Sequence, residues 1–455
     1  MNPFKYRSLW SLILAGALLS STSCKKDEDE DPVTPTPSTS NLVTIDQPIS
    51  ASTEWTADRQ YLIKGFVEVE QGVTLTIAPG TVIFGDKDTK GTLIINRGAK
   101  INAVGTAAQP IVFTSAKPVG ERAPGDWGGI ILCGRSNINL PGGTGVVEGG
   151  VEAVFGGTDG LDDSGRMSYV RIEFPGIAFQ ENNEINGLTL AGVGNTTQLD
   201  HIQVSYSGDD SFEFFGGSVN AKHLIAFGGL DDDFDMDNGF RGNLQFGLVL
   251  RDPNQADVSG SNGLEHDNDA SGTTATPFTS PALSNITVLG PLVTADAGSM
   301  NANYRRAAHL RRNTQTKVYN SVFTGYPTGL MIDGATTETN ATNNDLQVRN
   351  SVLAGMTTDF SVASGSSWAI SSWFNTAGWG NATFTNANDL GLGLPVSLST
   401  PQLLPEGASP LMSGADFSAT ALTNGFFETV SFRGAFGSTD WTSGWANWDP
   451  QNTVY

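Results

Sequence analysis

Residues 207–227, SGDDSFEFFGGSVNAKHLIAF, and residues 229–249, GLDDDFDMDNGFRGNLQFGLV, are one phrase written twice. With Phe212 set on Phe234, Asp209 and Asp210 fall on Asp231 and Asp232, Glu213 on Asp235, Phe214 on Met236, and Gly217 on Gly239. Acidic and apolar residues alternate through both copies, the pattern of a strand with one buried face and one wet face. NGLTLAGVG (186–194) precedes the phrase, and NGLEHDND (262–269), AAHLRRN (307–313) and TGLMIDG (328–334) follow it. A period of about 22–24 residues with two or three short strands suits one coil of a parallel β-helix, since a single coil cannot bury its apolar side and stacked coils can. A β-propeller blade needs about 40–45 residues, a period not seen here, and a jelly roll needs no repeat. The fold class read from this pattern is all-β, a parallel β-helix with covered ends.

Stacking coil on coil defines columns. Leu188, Phe212, Phe234, Leu264 and Ala308 form one inward column, and Leu190, Phe214, Met236, His266 and Leu310 a second, with the register at His266 open. Residues two apart share a face, so Glu213, Asp235, Glu265 and His309 point outward together. Phe215, Asp237, Asp267, Arg311 and Asp333 make the next outward column. These outward residues are the candidate ligand-binding set.

Composition agrees with a turn-rich β protein. The 455 residues include 54 Gly, and only 16% are charged. The formal net charge of −22 argues against nucleic acid as a partner and favours cations. Two cysteines are present: Cys24 near the N-terminus, and Cys133 in an apolar run that reads as a buried thiol.

Residues 1–23 read as a signal peptide, with Lys5 and Arg7 before the apolar LWSLILAGALL. Ser21, Thr22, Ser23 and Cys24 resemble a lipobox, which makes Cys24 the lipidated residue, although Ser21 departs from the usual Leu. Residues 24–41, rich in acidic residues and then in Pro, Thr and Ser, read as an extended tether. The β-helix is expected over 42–400. A C-terminal capping region is expected over 401–455, where Trp441, Trp445 and Trp448 form either a packed cap or a sugar-binding platform.

PGDWGGIILCGRSNIN (124–139), the doubled acidic phrase, HLRRNTQTKVYNSVFTGY (309–326) and the FRGAF…DW ending together resemble a family of Bacteroidota cell-envelope lipoproteins. The resemblance covers most of 42–455. It implies a right-handed parallel β-helix, an outer-membrane lipid anchor facing the cell exterior, and proximity to a TonB-dependent receptor. It brings no established catalytic residues.

Three functions remain open. The leading one is a ligand-binding accessory, for a glycan or another nutrient, that uses Glu213, Asp235, Asp237, Glu265, Asp267, His309, Arg311 and Asp333. The second is a polysaccharide lyase or glycoside hydrolase with Glu213, Asp235, Asp237, Glu265, His309 and Arg311 as its reactive groups; paired carboxylates can serve as acid and base. The chain lacks the Asn-Thr-Asp and Gly-His-Gly signatures of polygalacturonase-like enzymes, which leans the reading away from catalysis. The third is a structural or adhesive surface protein stabilised by Ca²⁺, with Asp233, Asp235 and Asp237 as the metal set on one strand face. That set is no EF-hand, because Gly239 comes one place late and Leu244 stands where Glu is needed.

Overall fold

Phe212 stacks on Phe234 with ring centroids 5.3 Å apart. The strand Phe212–Phe215 pairs in parallel with Phe234–Asp237, matching Phe212 to Phe234, Glu213 to Asp235, Phe214 to Met236 and Phe215 to Asp237. This pair lies near the centre of a ten-stranded parallel sheet. The sheet runs from Phe66–Val69 through Thr92–Ile95, Gly129–Cys133, Leu188–Ala191, Phe212–Phe215, Phe234–Asp237, Leu264–His266, Arg306–Leu310 and Thr328–Ile332 to Thr358–Val362. The computed structural model describes residues 41–180, 183–294, 298 and 300–455. The signal segment, Cys24 and the tether up to residue 40 lie outside the described residues.

Both inward columns form as read. Leu188, Phe212, Phe234, Leu264 and Ala308 pair in sequence, and all are buried. Burying a large apolar side chain contributes about 1.5–3 kcal/mol, so each coil is stabilised chiefly by its neighbours. His266 takes the place between Met236 and Leu310, which closes the open register. Its Nδ1 meets Thr316 Oγ1 at 2.9 Å, and full burial drops its pKa to about 3, so the core imidazole is neutral.

The other walls come from longer strands, including Gly165–Glu173, Gln198–Ser205, Asn220–Phe227, Asn243–Leu250 and Ala282–Leu289, stacked in parallel. Each turns a corner partway along. Tyr169, His201, His223, Phe246 and Asn285 have φ between 50° and 61°, and the same corner continues at Asn320 and Asn350. Left-handed backbone is costly for bulky residues and eased for Asn. At the bulky positions, ring stacking offsets the cost: Tyr169–His201, His201–His223 and His223–Phe246 centroids are 4.4, 4.3 and 5.1 Å apart.

The tail corrects one expectation. Residues 401–455 do not cover the open end of the stack. They run back along one flank, where Gly434 N donates to Asn320 O and Ala435 N donates to Thr287 Oγ1. Further along, Asn447 N donates to Gln203 Oε1 and the Tyr455 hydroxyl reaches Glu173. Arg122 Nη1 grips the last turn through Pro450 O and Thr453 O. The far end is closed instead by the helix Ile370–Phe374, with Trp368, Trp373 and Trp379 around it. The sequence reading missed this because helix and tryptophans sit in a polar stretch with no period. Trp445 is buried against Tyr169 and His201, while the half-buried Trp441 and Trp448 pack on Phe436 and Phe227, so all three take part in packing the tail.

Candidate functional site

The outward face of the ten-stranded sheet carries Glu213, Asp235, Glu265 and His309 side by side, each paired in register with the next. The coil corner before each strand adds Asp209 and Asp210, then Asp231 and Asp232. Asp210 Oδ1 accepts from Asp232 N at 2.9 Å across 22 residues, and Asp232 Oδ1 accepts from Asn262 N at 2.6 Å. These bonds fix the corners and leave the other carboxylate oxygens facing the cluster. Three overlapping triads result: Asp209/Asp210/Asp231, Asp210/Glu213/Asp235 and Asp232/Asp235/Glu265, each with one oxygen per residue within 4.8 Å of the others.

Loops half-bury this face. Asn186 Nδ2 donates to Glu213 Oε2 and, at 3.1 Å, to Glu148 Oε1. Asn262 Nδ2 donates to Glu265 Oε2 at 3.0 Å, and Ser259 Oγ donates to Asp231 Oδ2 at 2.8 Å. Burial first, and neighbouring carboxylates second, push Asp209, Asp210, Glu213, Asp232 and Asp235 well above the usual carboxylate range. Burial likewise lifts Asp231 and Asp237 to about 7. Two unit charges 4.8 Å apart repel by about 3 kcal/mol at an effective dielectric near 20. At neutral pH such a cluster holds either protons or cations.

The residues also fit a cation on their own chemistry. All the donors are oxygens, the preference of a hard divalent ion. Asp235 Oδ1 is enclosed without a hydrogen-bond partner. Asn262, only 1% exposed and bonded to both Asp232 and Glu265, likewise leaves its Oδ1 without one. Thr189, which precedes Glu213 in the same column, has a buried hydroxyl in the same condition.

The opposite end of the face is neutralised. His309 lies between Glu265 and Asp333, with Nδ1 3.0 Å from Glu265 Oε2 and Nε2 3.0 Å from Asp333 Oδ2. Arg311 bonds Glu265 and reaches Asp267 Oδ1 at 2.8 Å, and Arg312 takes Asp267 Oδ2 at 2.6 Å. The His309 hydrogen bond holds Asp333 below its ordinary range. Burial works to raise Glu265, but His309 and Arg311 outweigh it and leave that carboxyl lowered. Beside this end lies an open groove of about 280 Å³ lined by Ser271, Gly272, Arg311, Arg312, Asp333, Gly334 and Thr336.

All eight expected binding residues therefore lie on or against one charged face: Glu213, Asp235, Glu265 and His309 in one column, and Asp237, Asp267, Arg311 and Asp333 in the next. The expected metal set does not assemble. Asp233 precedes the strand Phe234–Asp237, so strand alternation does not reach it. Its carboxylate turns inward to Arg251 Nη1 at 2.9 Å, both side chains 0% exposed, while Asp235 and Asp237 face out. Cys133 is a buried thiol with its pKa raised to about 12. Asp209, Asp210, Asp231 and Asp232 were not among the residues expected at the site. Their exact repetition was the available signal, whereas Glu148, Asn186 and Asn262 arrive on loops that no spacing announces.

Residues 47–394 match the model of a family described as pectate-lyase like beta helix domain. No curated protein matches the chain.

Proposed function

The chain belongs to the pectate-lyase-like β-helix domain family, and on that basis we propose that it is a binding module that captures an acidic polysaccharide through divalent cations, Ca²⁺ foremost. The observation that carries this reading is the set of three carboxylate triads on one half-buried sheet face, in which Glu265 alone is paired with basic side chains, His309 and Arg311. Asp209, Asp210, Glu213, Asp231, Asp232, Asp235 and Glu265 would hold the ions. A bound cation keeps coordination positions for anionic ligand oxygens. That matters here, because a chain of net charge −22 repels a polyanion unless cations intervene. Arg311 and Arg312, on the wall of the neighbouring groove, would take a further carboxylate directly.

The alternative is cleavage of the same polymer. Asp231 and Asp237, lifted to about 7, lie in the range of a general acid. Binding without chemistry is preferred because the basic groups are occupied. His309 is held between two carboxylates, and its carboxylate partners raise Arg311 further above its ordinary value although burial opposes them, so it cannot act as a base. In the same reading, a lipid on Cys24 and the tether hold the β-helix off the outer membrane beside a TonB-dependent receptor. Lipid labelling that disappears in Cys24→Ala, and protease shaving of intact cells, test that placement.

The ligand test is calorimetric titration of polygalacturonate and alginate oligosaccharides in Ca²⁺ and in EDTA, with ultraviolet absorbance followed for unsaturated products. Binding in Ca²⁺ alone, with no product, is expected. Affinity unchanged by EDTA overturns the cation reading. Product that disappears in Asp235→Asn replaces a binding module with an enzyme.

A further inference from the structure

A second cluster lies on a different wall of the β-helix. Asp200 and His201 sit at the corner of the strand Gln198–Ser205, and His223 occupies the same corner one coil on. Both imidazoles aim at one carboxylate oxygen: Asp200 Oδ1 is 2.9 Å from His201 Nδ1 and 2.7 Å from His223 Nδ1. The three ligand atoms lie within 4.8 Å of one another. His201 Nδ1 is enclosed, yet its approach to Asp200 misses hydrogen-bond geometry, which leaves that nitrogen without a satisfied bond.

The rings are fixed before any ion arrives. His201 and His223 stack on each other, with Tyr169 on one side and Phe246 on the other. Trp441 and Trp445 of the tail close over their edges. Asp200 keeps 47% of its side chain exposed and so leaves a route from solvent. Its register neighbour Lys222 pairs with Glu428 Oε1 at 2.6 Å.

We propose that Asp200, His201 and His223 form a binding site for a first-row transition metal such as Zn²⁺, separate from the carboxylate cluster and independent of the polysaccharide reading. Two imidazole nitrogens and one carboxylate oxygen suit a borderline ion, whereas the all-oxygen cluster suits a hard one. The fourth position would face solvent beside Asp200. Each ring would bind as its Nε2–H tautomer, which leaves the Nδ1 lone pair for the metal. The ion would join two consecutive coils to each other beneath the tail.

The test is titration of the full chain with Co²⁺ and then Zn²⁺, in excess Ca²⁺ so that the carboxylate cluster is already filled. One Co²⁺ per chain, with visible ligand-field absorption that Zn²⁺ abolishes, is expected. The double variant His201→Asn/His223→Asn should lose that signal. Asn stands at the same left-handed corner at 285, 320 and 350, so the substitution suits the backbone. Asp200→Asn, which keeps both rings, serves as the second variant and should weaken the metal without removing every nitrogen ligand. No Co²⁺ uptake by the unmodified protein, or uptake that survives in the double variant, overturns the proposal.

Discussion

The carboxylate cluster makes stability depend on pH and on cations together. Asp231 and Asp237 have folded-state pKa values of about 7 against an ordinary 3.8. A raised carboxyl binds its proton more tightly when folded. Its contribution is therefore complete below the unfolded value and is lost as pH climbs through about 7. Each such shift corresponds to about 4 kcal/mol at most, and partial exposure reduces it to about 2–4 kcal/mol. Lowered groups such as Glu265 and Asp333 act in the opposite sense and lose stability as pH falls. Cation-free protein should thus be most stable near pH 5, between the two effects. By pH 8, two groups at about 2–4 kcal/mol each lower the melting midpoint by roughly 5–9 °C, given about 2.1 cal/mol/K of unfolding entropy per residue over the folded part. Ca²⁺ at one hundred times its dissociation constant returns about 2.7 kcal/mol per site, or roughly 3 °C. The assay is differential scanning fluorimetry from pH 5 to 8, in EDTA and in Ca²⁺. Glu213→Gln, which removes one like charge, should raise the midpoint in EDTA at pH 8 and blunt the Ca²⁺ response. A midpoint in EDTA that is flat or rising from pH 5 to 8, or a pH 8 midpoint that ignores Ca²⁺, refutes the reasoning.

Arg251→Met leaves Asp233 buried without its partner and should cost about 3–5 kcal/mol in urea unfolding, with Asp233→Leu in the same chain recovering most of the loss. His309→Gln should destabilise the protein by about 1–3 kcal/mol at neutral pH. That difference should shrink only in acid strong enough to protonate Glu265 and Asp333, both of which are held below their ordinary values, as read from melts compared at pH 7 and about pH 2. Trp445→Ala should cost about 3–5 kcal/mol and expose the tail to limited proteolysis ahead of the β-helix, as followed by mass spectrometry.

The architecture was legible because a stacked coil writes its period into the chain. Phe212 over Phe234 and Glu213 over Asp235 needed only one offset, and both inward columns followed from it. Even His266 was placed by register, although an imidazole in that column looked wrong until its bond to Thr316, fifty residues on, was visible. The metal set failed at Asp233 for a local reason. Strand alternation was extended one residue past the start of the strand, into a corner where the carboxylate turns toward Arg251. The tail was misread because its partners, Thr287, Gln203, Glu173 and Arg122, are far away in sequence and share no pattern with it. His201 and His223, 22 residues apart, were not among the expected site residues. Their common corner depends on a positive φ that sequence alone does not announce in His.

In a plain solenoid each coil feels only its neighbours, and the array can open one unit at a time from either end. Residues 401–455 change that arithmetic. They join the coil that holds Thr287 to those that hold Gln203, Glu173 and Arg122. Opening any coil beneath them also breaks a contact several coils away, so the stack loses its one-dimensional character along that flank. The coupling segment follows, in the chain, every coil that it joins. Coils can therefore stack one by one, but gain all-or-none cooperativity along that flank only when residues 401–455 have docked.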